Sequence, residues 1–245
     1  MLAVPLFQRP KGFVACHSIT PSHHLEWEIS PPTPNEKQRL TEIFSQRFHY
    51  LGSGVQAYAF ESEDEKYVLK FFRMNRLIPR VIHTFRPKKK AEQQRKLHLI
   101  FNAYKLVYEK FRQDAGLLFI HLNKSNDLKT MIYVEDRKKK EHAIQLDDVL
   151  FVVQEKAELL HDRLHRLEAE NKFEELQTAT EAFLALVQRR IDAGMTDLDR
   201  AIEKNYGFVG DRPIQLDVGR VCLGSEPGEY ARIAASLAPF LTRCN

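Results

Sequence analysis

Two glycines separated by a serine, in Leu51-Gly52-Ser53-Gly54-Val55-Gln56-Ala57-Tyr58-Ala59-Phe60, stand between two runs rich in aromatic and β-branched residues. Glycines in a β-turn-β let backbone N–H groups approach phosphate oxygens with no side chain in the way. A dinucleotide or Walker-type site would instead join a strand to a helix. Lys70, in Tyr67-Val68-Leu69-Lys70-Phe71-Phe72, follows Gly54 by sixteen residues. It shares a strand face with Val68 and Phe72, where a cation is costly unless it meets an anion. Taken singly, the glycines read as a plain hairpin and the lysine as an edge-strand residue. Taken together they form a phosphate cradle and its counter-charge. A second group comprises Thr196-Asp197-Leu198-Asp199, Asn205 and, after a short turn, Ile214-Gln215-Leu216-Asp217-Val218-Gly219. Mg²⁺ takes oxygen ligands, commonly one or two carboxylates with substrate phosphates completing the set. Asp217 at a strand end and Asn205 twelve residues upstream supply ligands of that kind.

These residues need elements to hold them. Residues 1–36 hold six prolines and no sustained periodicity, and read as a partly disordered N-terminal arm. Thr33-Pro34-Asn35-Glu36 opens a short helix through about Arg47. FHYLGSG, VQAYAFES and KYVLKFF are three strands in series without room for crossover helices, hence an antiparallel meander. Leu97, Ile100, Phe101, Tyr104, Val107, Tyr108 and Phe111 fall at helical spacing, so a helix spans about 90 to 113, stopped by Gly116. GLLFIHLN, KTMIYVED and VLFVVQEKA read as strands, with DRKKKEH between the last two as a hairpin turn or a small insertion. ELLHDRLHRLEAEN and FEELQTATEAFLALVQRRIDAG are helical, the second capped by Gly194. A loop, the strands YGFV and PIQLDV, and a last helix from about Glu229 to Leu241 complete the chain. The order is a β-rich half carrying one helix, then an α-rich half: an α+β chain on a bilobal plan, with lobes at 37–156 and 157–245.

Composition sets the outer bounds. Of 245 residues, 43% are hydrophobic and 29% charged, enough apolar side chain for a substantial core. The net charge of +4 is compatible with nucleic acid, acidic lipid or phosphate-bearing small molecules and selects none of them. Cys16, Cys222 and Cys244 are widely separated, show no zinc spacing and fit a reducing compartment. No secretory signal or membrane-spanning run is legible, so the expected location is cytoplasmic. The basic runs at 86–96 and 137–140 read as solvated surface, and Trp27 receives no role.

LGSGVQAYAF, VLKFF, VLFVVQEKA, DLDRAIEKN and IQLDVG resemble, in order and spacing, the landmarks of the protein-kinase-like superfamily over about residues 48–222. The texture is similar to small, divergent bacterial kinase-like proteins with a truncated C-lobe. The resemblance implies a kinase-like N-lobe and an abbreviated helical C-lobe binding ATP and Mg²⁺. It makes Gly52 and Gly54 the phosphate-covering loop and Lys70 the strand-three lysine. Val152 to Lys156, with Gln154 and Lys156 among them, would be the adenine-taking hinge. Asp199 would be the catalytic aspartate, and Asn205 and Asp217 would bind metal, the latter in Asp-Val-Gly where the family has Asp-Phe-Gly.

The departures bear on activity. Thr196, Asp197 and Leu198 replace the family's His-Arg, and Asp199 to Asn205 is one residue too long, which keeps Asp197 as a rival catalytic residue. No glutamate sits at the expected depth of the long helix: Glu92 is near its start, Glu109 near its end, and Asn102 and Tyr104 lie between. Only 26 residues follow Gly219, which argues against ordinary protein substrates. The expected function is therefore an ATP-binding, Mg²⁺-dependent phosphotransferase on an unknown acceptor. The alternative is a pseudokinase that binds nucleotide or a protein partner, and nucleic acid is the weakest partner reading.

Overall fold

The computed structural model describes Phe13, residues 23–77 and residues 87–241. Most of the arm, with Cys16 and Cys244, lies outside the described residues. The chain is mixed α/β, with its sheet concentrated in the N-terminal part. It forms two compact units, Met1–Leu97 with His121–Val152, and His98–Ile120 with Val153–Asn245. The sequence reading placed 37–156 in one lobe, whereas residues 98–120 belong to the second unit. No helix among the described residues is long and apolar enough to cross a membrane.

In the first unit, α1 (Pro34–Phe44) starts on a capping box. The Thr33 hydroxyl accepts the Glu36 N–H at 3.3 Å and the Glu36 carboxylate accepts the Thr33 N–H at 2.8 Å, so orphan amides at the helix start are satisfied. The helix ends at Phe44, short of the expected Arg47, because β1 (Arg47–Ser53) already begins there. β1, β2 (Ala57–Ser62) and β3 (Tyr67–Phe72) form the anticipated antiparallel meander. The short α2 (Met74–Leu77) follows it. β5 (Met131–Glu135) joins β1 in parallel, and the Asp136–Lys140 turn leads into β6 (Glu141–Gln145), a strand the sequence reading did not anticipate. The unit's order is β7-β3-β2-β1-β5-β6, where β7 is Phe151–Glu155. Its core is aromatic. Phe13 packs against Tyr58, Phe60 and Phe71 with ring centroids 4.7–5.6 Å apart, and Trp27 is buried.

The chain passes between the units within α3 (Pro87–Lys110), β4 (Leu117–His121) and β7. In the second unit, β8 (Glu158–Leu159) lies beside the hairpin of β10 (Tyr206–Val209) and β11 (Arg212–Gln215). α4 (Leu160–Ala169) buries Leu160, Leu164 and Leu167; α5 (Phe173–Asp192) buries Leu176, Phe183 and Val187 among others. Both stripes follow the three- and four-residue spacing of an apolar helix face. β9 (Met195–Asp197) pairs with β12 (Val221–Leu223) where the sequence reading had only loop. Between them runs the four-residue α6 (Ile202–Asn205), and α7 (Glu229–Leu241) has the expected bounds.

One buried polar side chain ties this unit together. Gln154 donates through Nε2 to the carbonyls of Ala115 (2.6 Å) and Gln215 (3.2 Å), joining β7, the turn before β4 and the end of β11. Gly116 in that turn has φ +58°, and a Cβ there would stand 2.7 Å from Ile214 Cδ1. Gly116→Ala is expected to lower unfolding free energy by about 2 kcal/mol or more, through left-handed strain and the clash, as read by urea denaturation.

Candidate functional site

The glycine hairpin belongs to the first unit. Its register shifts between Tyr50 and Gly52, leaving Leu51 exposed, and resumes with Gly52 opposite Ala59 and Ser53 opposite Tyr58. The Gly54 N–H donates to the Ala57 carbonyl at 2.9 Å. Arg73, to which the sequence reading gave no part, pins this loop. Its guanidinium donates to the Gly54 carbonyl at 2.8 Å and lies 4.7 Å from the Tyr58 ring, while its backbone N–H donates to Gln56. The basic position directly after β3 was the available signal. A Cβ on Gly52 or Gly54 would meet no atom within 4 Å, and neither has a positive φ. The protein's own packing therefore does not require glycine at these positions; what glycine supplies is open space beside the backbone. Lys70 is half-buried opposite Ala59, on the same strand face as buried Val68 and Phe72.

The acidic residues belong to the second unit and take distinct stations. Asp197, only 2% exposed, ends β9. Its Oδ1 accepts the Asp199 N–H at 2.9 Å and its Oδ2 accepts Gln215 Nε2 at 2.8 Å. Arg190, 1% exposed on α5, stands 3.8 Å from Oδ2 and donates to Glu229 at 2.6 Å. Glu229 also accepts the Thr196 hydroxyl at 2.9 Å and the Asp197 N–H at 3.3 Å. One buried cation thus serves two buried carboxylates, and burial pushes Asp197 up to about 6 against the pull of the Asp199 N–H and Arg190. Tyr206 is buried, and its ionisation is driven well upward by burial. Asp197 is thereby built into the interior. Asp199 is half-buried, its Oδ1 accepting the Ala201 N–H at 3.1 Å and its Oδ2 lying 3.8 Å from Arg220 Nε.

Asn205 and Asp217 are brought together. The Asn205 carbonyl accepts the N–H groups of Leu216 (2.6 Å) and Asp217 (3.3 Å). Asp217 is half-buried beyond the end of β11, rather than at the strand's last residue, and its Oδ1 accepts the Gly219 N–H at 3.1 Å. Burial, and then the Asp217 charge, push the Tyr104 phenol well above its usual range, so mid-helix Tyr104 stands within electrostatic reach of Asp217. Asn205 Nδ2 is buried with no hydrogen-bond partner. A buried donor left unmade costs roughly 1–3 kcal/mol, which an acceptor such as a phosphate oxygen would recover. Within the second unit, Asp217 thus offers carboxylate oxygens and Asn205 an orphaned donor. Gln154 stands differently from its expected role. Its side chain is spent on Ala115 and Gln215, so a ligand contact at this position would use the backbone. Lys156 is half-buried just after β7.

No family model matches this chain, and none of the curated proteins does. Among solved structures, the chain is similar to the bifunctional kinase-methyltransferase WbdD, at 16% identity and TM-score 0.40 over 79% of this chain and 36% of that one. A second WbdD structure, solved with the kinase inhibitor LY294002, gives 16% identity and TM-score 0.35 over 80% and 37%. Rv3197 from Mycobacterium tuberculosis, in complex with erythromycin, gives 15% identity and TM-score 0.37 over 87% and 60%. The chain spans about a third of the WbdD chain's length.

Two outcomes follow from this geometry. Gly52→Ala and Gly54→Ala are expected to leave unfolding free energy within about 0.5 kcal/mol of the parent, because each Cβ enters open space. Asp197 binds its proton more tightly folded, at about 6, than at its ordinary 3.8. Its contribution to stability therefore rises as pH falls from about 6 towards 4 and is flat above. The stability of wild type relative to Asp197→Asn should increase by about 2–3 kcal/mol over that window in paired urea melts, and a flat difference would contradict the assignment.

Proposed function

We propose that this chain is an ATP-binding, kinase-like protein that transfers phosphate to an acceptor with the help of Mg²⁺. The observation that carries this reading is the Asn205–Asp217 pair, one backbone carbonyl holding both segments while a buried Asn205 amide has no acceptor. In the proposal Asp217 and Asn205 Oδ1 hold the metal, Lys70 neutralises phosphate charge, and the backbone at Gly52 and Gly54 lies against the phosphates. Mg²⁺, when bound, neutralises charge on the phosphates during transfer. Asp199, the more accessible of the two rival aspartates, orients the acceptor hydroxyl, and Asp197 holds Asp199 through its N–H. Phosphate transfer in this class rests on positioning and charge compensation, so these few groups are the essential ones.

A second reading, a pseudokinase that binds nucleotide or a protein partner without turnover, is favoured by the Asp199–Arg220 ion pair, which occupies the proposed catalytic carboxylate. Calorimetric titration with ATP, with and without Mg²⁺, tests the first reading. Wild type is expected to bind with a metal-dependent gain, and Asp217→Ala and Lys70→Ala to weaken binding by about tenfold or more. Gly54→Ala should weaken it while leaving the fold intact. Absence of binding by wild type would overturn both nucleotide readings. Binding without ATP turnover, with function retained in Asp199→Ala, would select the second.

A further inference from the structure

β6 lies at the edge of the first unit's sheet, with no strand beyond it among the described residues. Hydrogen-bonded and non-bonded pairs alternate along an antiparallel ladder. Asp136 N–H donates to the Lys140 carbonyl and Leu146 N–H to the Thr130 carbonyl, both at 2.9 Å. The register between those two bonds makes Val134–His142 and Ile132–Ile144 the other bonded pairs. The backbone N–H and C=O groups of Glu141, Ala143 and Gln145 therefore point away from β5. Beside them lies a groove of about 410 Å³, lined by residues 142–145 together with Lys124, Asp148 and Val149. Consecutive strand residues alternate faces, so a groove touched by four in a row runs along the strand's edge.

Charge distinguishes the two ends of this edge. Arg137, Lys138, Lys139 and Lys140 are all exposed at the β5–β6 turn. Lys139 pairs with Glu135 at 2.7 Å. Asp136 is occupied by the N–H groups of Lys138 and Lys140 and by His142. Arg137, Lys138 and Lys140 form no ion pair among the described residues. Exposed lysines also serve to keep sheet edges from pairing, and that role needs no groove. The three unpaired cations at this turn make an acidic partner the electrostatically favoured occupant of the edge.

We propose that β6 is a docking edge for an extended acidic peptide, which adds as a further strand along Glu141, Ala143 and Gln145 and sets its carboxylates against Arg137, Lys138 and Lys140. The site is separate from the nucleotide residues and does not depend on them. Fluorescence anisotropy with a labelled peptide alternating Glu and Val, against its Lys–Val counterpart, tests it. The Glu–Val peptide is expected to bind with Kd below about 100 µM and the Lys–Val peptide at least about tenfold more weakly. Ala143→Pro removes an outward N–H and leaves the β5 ladder intact, as proline at a sheet edge allows, and should weaken binding about tenfold with an unchanged melting temperature. Lys138→Glu with Lys140→Glu should weaken it similarly. Should Ala143→Pro fail to fold, methylating alternate backbone nitrogens of the peptide makes the same test from the other side, one of the two phases losing affinity. No binding of the Glu–Val peptide, equal affinity for both peptides, or indifference to the edge changes would each overturn the proposal. A concentration-dependent dimer lost in Ala143→Pro would assign the edge to a second copy instead and overturn it equally.

Discussion

Arg190 is the residue on which the second unit's polar interior depends. It sits on α5 with 1% exposure and is shared between Glu229 at the start of α7 and Asp197 at the end of β9. Two buried carboxylates without that cation would each carry a desolvation cost of several kcal/mol. From Asp197 the connection continues through Gln215, whose side-chain amide is 2.8 Å from the carboxylate and whose carbonyl receives Gln154. Helix, short strand and hairpin are thereby fixed by polar contacts in a region whose elements are too short to fix themselves by apolar burial. Asp199, Asn205 and Asp217 hang from this frame.

The first unit solves its positioning problem with apolar packing instead. Tyr58, Phe60 and Phe71 turn their rings to one side of the meander, where Phe13 closes over them, and Lys70 and Ala59 pair on the other. Strand alternation alone separates the aromatic face from the face carrying the lysine. Arg73 then ties the far end of β3 to the glycine turn, so the turn is held through its carbonyl while the space beside its glycines stays open.

What was legible in the sequence follows from these differences. The meander could be read because period-two alternation and glycine punctuation act locally, and α7 because its apolar spacing begins and ends with clear signals. β9 and β12 have three residues each, too few to show any period. β6 was missed because EHAIQ buries one side chain and its polar ends merge with the charged turn. Asp197, Asp199, Asn205 and Asp217 were singled out through their resemblance to a family pattern, but their separate stations were not readable. Arg190 in the last turn of α5 looks like an ordinary complement to the helix dipole, and Glu229 in the first turn of α7 like another. Their pairing exists only in three dimensions. Gln154 was read through the resemblance as part of an adenine-taking hinge, whereas its side chain is held by partners 39 and 61 residues away.

Those separations bear on how the chain folds as it is made. The first unit is complete in sequence once Val152 has been synthesised. The second begins at His98, is interrupted by residues 121–152, and cannot make its Gln154–Gln215 or Arg190–Glu229 contacts until almost the whole chain exists. Contacts of such sequence separation are slow to close. On the ribosome, then, the sheet-rich unit has time to form alone, and the segment His98–Ile120 waits with its apolar face unsatisfied. A nascent chain arrested once Val152 has cleared the ribosome would hold a folded sheet and a helix still lacking its partners.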